Sequence, residues 1–325
     1  MIPIEKSDEE KVNQLCKKLY KKLDSTEEIN KFLRQNKNEY SESEDPFLEI
    51  MKADYSKLKK HKELASLDVL KENEKKHLKE VLIKNYEKID SKLRKEIIDL
   101  KEIKVCPYCN RNYIYSTFKT LVCKDCGNEL FLDEKKDKVC PTCNKIIRGE
   151  KSGQIKVVNT AQLDHFFSKD DYPLFAVSFY NLIPSCYSCN HVKSTTELKY
   201  SPYDTDFSFS DVKFSYDLEA VDKLKIKINS TDEGFKKDLQ ALGIEALYQN
   251  HIDIVEELNT KQEIYSKVYK DGLTEILREN GIKLSNSEID RMIVDNYTVE
   301  KDYGKRPLSK MVTDISKEIG LIGDK

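Results

Sequence analysis

No apolar run in this sequence approaches the roughly 18 residues that a membrane-spanning helix needs, and Met1-Ile2-Pro3-Ile4-Glu5-Lys6 lacks the basic-then-apolar order of a secretory leader. The expectation is an intracellular, cytoplasmic protein with no membrane partner. There is no internal repeat and no low-complexity tail, which excludes solenoids and fibrous classes. Excess charge is lacking too. The net charge is −2, and basic against acidic residues number 25 to 23 over 1–104, 13 to 10 over 105–200 and 18 to 25 over 201–325. Strong sequence-independent nucleic-acid binding usually rests on a basic stripe, so charge neither supports nor excludes a nucleic-acid partner. At 325 residues, 38% hydrophobic and 35% charged, the chain can bury one substantial core or two modest ones.

Unpaired cysteine is also scarce: eight of the nine cysteines stand in CxxC pairs. The pairs are Cys106/Cys109, Cys123/Cys126, Cys140/Cys143 and Cys186/Cys189, and only Cys16 is alone, on a helix-like segment where packing explains it. In a reducing compartment such pairs read as metal thiolates rather than disulfides. A CxxC supplies two thiolates from a tight knuckle, and two knuckles complete a tetrahedral four-thiolate zinc site. Gly127 to Val139 is the length of a zinc-ribbon loop, which makes Cys123, Cys126, Cys140 and Cys143 one local site and Cys106, Cys109, Cys186 and Cys189 a second one enclosing it. Sequential pairing, the first two knuckles together and the last two together, stays open. Such closed sites have no free coordination position, so two structural zincs are expected and neither does Lewis-acid chemistry.

Around this centre the periodicity changes twice. Residues 1–104 read as a helical region, with apolar residues three and four apart at Leu15, Leu19 and Leu23 and again from Leu78 to Ile98. Ser25-Thr26-Glu27-Glu28, with capping chemistry, and Asp45-Pro46 mark breaks. Residues 105–204 carry short strands, turns and knuckles, as where metal replaces a hydrophobic core. Residues 205–325 alternate as strands over Phe207–Ile228 and then return to helical spacing from Phe235, with later helix starts at Ser285–Glu288 and Pro307. His61, His77 and His251 lie in charged helical stretches and read as solvated or packing residues.

Asp164-His165 follows the strand-like Ile155–Val158 and the turn-like Asn159-Thr160; Asn181 comes next, and the last knuckle runs directly into Asn190-His191-Val192-Lys193. Carried on Asp164, His165, Asn181, Asn190 and Lys193, with nine residues from Asn181 to Asn190, this stretch resembles the HNH endonuclease superfamily. The resemblance implies an α+β, mainly helical chain whose central zinc-stabilised ββα-metal (HNH/treble-clef) module has an inserted zinc ribbon, about 119–150, and is flanked by helical regions. It implies a metal-dependent nuclease hydrolysing phosphodiester bonds, of DNA before RNA. Asp164 and Asn190 would hold one catalytic Mg²⁺ or Mn²⁺, with His191 open as an alternative ligand or nucleic-acid contact. His165 would take a proton from the attacking water, Asn181 would orient the histidine-bearing loop, and Lys193 would hold a phosphate.

Cys-Pro-Tyr-Cys-Asn-Arg-Asn-Tyr-Ile from Cys106 and Gln162–Lys169 through Tyr172–Ala176 are similar in wording to a subgroup in bacterial anti-phage systems, the nuclease subunit of Septu-type defence, which works beside an ABC-type ATPase. The ribbon departs from simpler members and could read nucleic acid, bind a partner or stiffen the module. The flanking regions also exceed a minimal nuclease and could restrain it. A zinc-stabilised module that binds nucleic acid or protein without catalysis is the alternative.

Overall fold

Apolar stripes build the N-terminal helices as their spacing predicts. α1 (Glu9–Tyr20) is capped by the Asp8 carboxylate, which accepts from Lys11 N, and buries Val12, Leu15, Cys16 and Leu19. α2 (Thr26–Gln35) starts at the expected break, but Ser25 lies in the left-handed region at φ 54° and its side chain caps nothing, so the capping expected there is absent. At the second break Pro46 opens α3 (Pro46–Lys52), in the first turn, where its missing N–H would be unsatisfied anyway. α4 (Tyr55–Lys60), α5 (Lys62–Ala65), α6 (Glu72–Tyr86) and α7 (Ser91–Asp99) follow.

The computed structural model describes residues 1–36, 38–131, 138–147, 153–220 and 223–323. Two stretches of the expected ribbon, 132–137 and 148–152, lie outside these. In its described part, β1 (Ser116–Cys123) pairs antiparallel with β2 (Glu129–Phe131) and β5 (Gly153–Asn159), and β3 (Lys138–Val139) pairs with β4 (Ile146–Ile147). The next hairpin joins β6 (Ala161–His165) to β7 (Leu182–Cys186), with Asp164 opposite Ile183 and His165 opposite Leu182. β7 runs straight into α8 (Tyr187–Lys193), which packs on β6 and β7.

Beyond it the alternating segment forms the hairpin β8 (Lys213–Ala220) and β9 (Lys223–Asn229). Helices α9 (Glu233–Ala241), α10 (Ile244–Tyr248), α11 (Ile252–Ile264) and α12 (Lys267–Glu279) come next. α13 (Asn286–Val294) carries the Ser285/Glu288 capping box, and α14 (Ser309–Glu318) begins two residues after Pro307. The fold is α+β, about half helical, with its strands in small antiparallel sheets. Among the described residues no helix is long and apolar enough to cross a membrane.

One hydrophobic core runs from Met1 to Ile322 through all three sequence regions, and Cys106, Cys109, Cys186 and Cys189 belong to it. The outer knuckles therefore lie within a hydrophobic core instead of standing in for one, because apolar faces of the flanking helices and the β6–β7 hairpin close around them. Among the described residues the ribbon has a small cluster of its own, made of Cys123, Cys140 and Ile147 against Cys143.

Candidate functional site

Three of the four knuckles make the same turn for a reason visible in their sequences. The residue four after the first cysteine returns its N–H to that cysteine's carbonyl at 2.8 Å, and it is left-handed: Asn110 (φ 49°), Gly127 (φ 73°) and Asn144 (φ 56°). Asparagine and glycine are the residues that tolerate this conformation. In the fourth knuckle the same position is Asn190, whose backbone is helical, so the chain continues as α8.

The sulfurs gather as the nested pairing requires. Cys106, Cys109, Cys186 and Cys189 form one cluster and Cys123, Cys126, Cys140 and Cys143 the other, each with all Sγ atoms within 4.8 Å of one another. A four-thiolate zinc tetrahedron with bonds of about 2.3 Å has edges of about 3.8 Å. The separations Cys109–Cys186 of 4.0 Å, Cys123–Cys143 of 3.6 Å and Cys126–Cys140 of 3.5 Å match that size, so both clusters could hold zinc. Asn112 Nδ2 donates to Cys186 Sγ and Arg111 N to Cys109 Sγ, each at 3.4 Å, contacts that favour a thiolate. The first knuckle is held from three sides. Ile2 N donates to Pro107 O, Tyr248 Oη to Cys109 O at 2.7 Å, and Asn110 Nδ2 to Tyr303 O at 3.0 Å.

Next to the outer cluster, alternation along β6 sends Asp164 and His165 into different surroundings. Asp164 is buried. Its Oδ2 accepts from Tyr108 Oη at 2.6 Å, and Lys193 Nζ stands 3.3 Å from Oδ1 and 3.2 Å from Oδ2. Burial raises its carboxyl above the usual range, against the pull of Lys193. Lys193 Nζ also donates to His165 O at 2.8 Å, and its side chain is 0% exposed. This corrects the expectation for Lys193. An ammonium buried on α8 and spent on Asp164 and a carbonyl cannot reach out to a phosphate; it is the counter-ion of Asp164.

His165 is half-buried, with its ring edge-on to Tyr86 of α6 at 4.5 Å and Nε2 2.9 Å from Ala176 O. A carbonyl only accepts, so Nε2 carries the hydrogen and the neutral ring keeps a lone pair on Nδ1. Burial drives the imidazole pKa down to about 4, opposed by the Ala176 bond and reinforced by Lys169, Lys193 and Arg94.

Asn181, the residue just before β7, reaches the same loop. Its Oδ1 accepts from Phe167 N at 2.8 Å, and its Nδ2 donates to Phe167 O and Phe175 O, both at 3.0 Å. The amide thus ties both ends of the 167–175 loop that leads away from His165. Asn181→Ala would leave three buried backbone groups unmatched at about 1–3 kcal/mol each. A loss of about 3–9 kcal/mol in a denaturant titration is expected, and a loss below about 1 kcal/mol would contradict this role. On α8, Asn190 is half-buried and three residues from Lys193, so the two share a helix face. His191 is exposed and stacks on Tyr187 with ring centroids 5.7 Å apart.

No family model, no curated protein and no solved structure matches the chain. The site therefore rests on its own geometry. Sequence reasoning missed Tyr108 and Tyr86, the side chains that touch Asp164 and His165. A tyrosine inside a knuckle is the one signal that could have drawn notice, because a buried phenol needs an acceptor.

Proposed function

We propose that this chain is a divalent-metal-dependent endonuclease of the HNH kind that hydrolyses phosphodiester bonds in DNA, with RNA as the alternative substrate. The observation that carries the reading is the state of His165. Its Nε2 is fixed to Ala176 O, which leaves Nδ1 as the acceptor at the end of a strand beside a carboxylate. The order of hairpin, knuckle and helix, with Asn181 bracing the loop and Asn190 on the helix, supports it.

His165 Nδ1 would accept the proton of the attacking water. Its low pKa keeps the base free at neutral pH, and an anionic phosphate nearby would raise it toward the useful range. Asp164 and Asn190 would supply one carboxylate and one neutral amide oxygen, hard donors of the kind Mg²⁺ or Mn²⁺ takes, with water and phosphate completing the shell. When bound, such an ion would offset charge on the scissile phosphate. Asn181 would keep the His165 loop in register during the reaction, and Tyr86 would fix the ring plane.

The four-thiolate clusters, being closed, would contribute geometry alone. Anti-phage defence beside an ABC-type ATPase is the role we propose on the sequence resemblance. A binding module without catalysis is favoured by one observation, the charge of Asp164 already met by Lys193. Plasmid DNA and a single-stranded RNA incubated with Mg²⁺ or Mn²⁺ separate the readings. Cleavage by wild type and none by His165→Ala is expected. Intact nucleic acid with both proteins, partner ATPase included, would leave only the binding module.

A further inference from the structure

The two side chains that touch the Asp164 carboxylate come from opposite halves of the outer cysteine cluster. Tyr108 stands between Cys106 and Cys109, is fully buried, and donates to Oδ2 at 2.6 Å. Lys193 lies one helical turn after Cys189 on α8 and brings its ammonium to 3.2–3.3 Å of both oxygens. A phenol donor this close to a carboxylate makes a charge-assisted bond, which is strong and directional. The position of Tyr108 follows from the knuckle that contains it, and that of Lys193 from the helix that the other knuckle begins. One metal ion across the four sulfurs would fix both at once, because the sulfurs lie within 4.8 Å of one another.

We propose that the outer zinc cluster sets the orientation of Asp164, with Tyr108 and Lys193 as positioning residues, so that zinc occupancy and binding of the catalytic divalent ion are coupled. This rests on the reading of Asp164 as a ligand of that ion. Held from the knuckle side by the phenol and from the helix side by the ammonium, the carboxylate has a single orientation from which to offer its remaining lone pairs. Loss of one grip frees its rotation, and the ion then has to order it. A merely structural Tyr108 would change stability and leave ion affinity alone.

Tyr248 provides the control, since its hydroxyl donates to Cys109 O of the same knuckle at 2.7 Å and makes no hydrogen bond to Asp164. Full-length wild type, Tyr108→Phe and Tyr248→Phe are compared by zinc analysis, by Mn²⁺ titration in electron paramagnetic resonance and by the Mg²⁺ dependence of cleavage. Both variants should keep two zincs. Tyr108→Phe should bind Mn²⁺ about 10–100-fold more weakly, the usual cost of removing a group that orients a metal ligand. Its half-maximal Mg²⁺ concentration for cleavage should rise by a similar factor, and Tyr248→Phe should match wild type.

Unchanged Mn²⁺ affinity in Tyr108→Phe or equal weakening in Tyr248→Phe overturns the coupling. Should Tyr108→Phe be insoluble, wild type loaded with cadmium, whose longer thiolate bonds shift the knuckle, gives the second reading. Its Mn²⁺ affinity should change, and an unchanged value also overturns the coupling. If Mn²⁺ binds and Asp164→Ala abolishes binding, yet neither DNA nor RNA is cut, the nuclease reading fails and the coupling stands. If Asp164→Ala binds Mn²⁺ as wild type does, the coupling falls with the ion site.

Discussion

Cys106→Ser should cost the protein one zinc and its fold, whereas Cys123→Ser should cost one zinc and only the ribbon. Cys106 is 0% exposed and belongs to the core that joins the three sequence regions. At its knuckle the N-terminal Ile2, the C-terminal Tyr248 and Tyr303, and the Asp164 strand all converge. Structural zinc contributes about 10–16 kcal/mol of apparent binding free energy in small domains. That is as large as the whole stability of an ordinary domain, about 5–15 kcal/mol. Losing it at the convergence point would leave a Tm lower by well over about 15 °C, or no soluble protein. Cys123, by contrast, packs with Cys140, Cys143 and Ile147 in a cluster separate from that core. Its loss should move the main thermal transition by no more than about 4 °C, taking 2–4 °C per kcal/mol for chains of this order of size. Zinc analysis with differential scanning calorimetry reads both quantities, and equal, mild effects of the two substitutions would refute the unequal roles.

His165→Ala should lower the cleavage rate by about 10²–10⁴, the usual range for a positioned general base. Both zincs should stay, because His165 belongs to neither cysteine cluster and its ring meets Tyr86 and Ala176 O. Removal of the ring opens space against Tyr86 and frees one carbonyl, a stability cost of about 1–3 kcal/mol, which stays well below that of Cys106→Ser. Single-turnover cleavage at saturating Mg²⁺ isolates the chemical step. A His165→Ala rate within threefold of wild type would remove His165 from the reaction and with it the proposed mechanism.

Local spacing carried what could be read in the sequence. The knuckles are legible because thiolate pairs must sit two residues apart, and their nesting because the ribbon loop is short. For Asn181 the resemblance, not spacing, implies a loop-orienting role; the contacts it makes in the fold are to Phe167, 14 residues away, and Phe175, 6 away. The contacts that tune Asp164 and His165 join distant positions. Tyr108 is 56 residues from Asp164, and Tyr86 is 77 from the Leu163 carbonyl to which its hydroxyl donates. An amphipathic stripe tells which face of α6 is buried and says nothing about what it is buried against. Lys193 misled for another reason. Lysines are almost never fully buried unless paired, and its partner, Asp164, is named only by the packing of α8 on β6. Ser25 failed as a cap because its backbone turned left-handed, a choice made by the chain on either side of it.

Diffraction from crystals soaked in Mn²⁺, recorded at the manganese edge, tests the central claim most directly. The expected result is an anomalous peak about 2.0–2.3 Å from an Asp164 carboxylate oxygen and the Asn190 amide oxygen, with His165 Nδ1 facing its water. Manganese bound elsewhere, with Asp164 still held only by Tyr108 and Lys193, would contradict a metal-assisted hydrolase at this site.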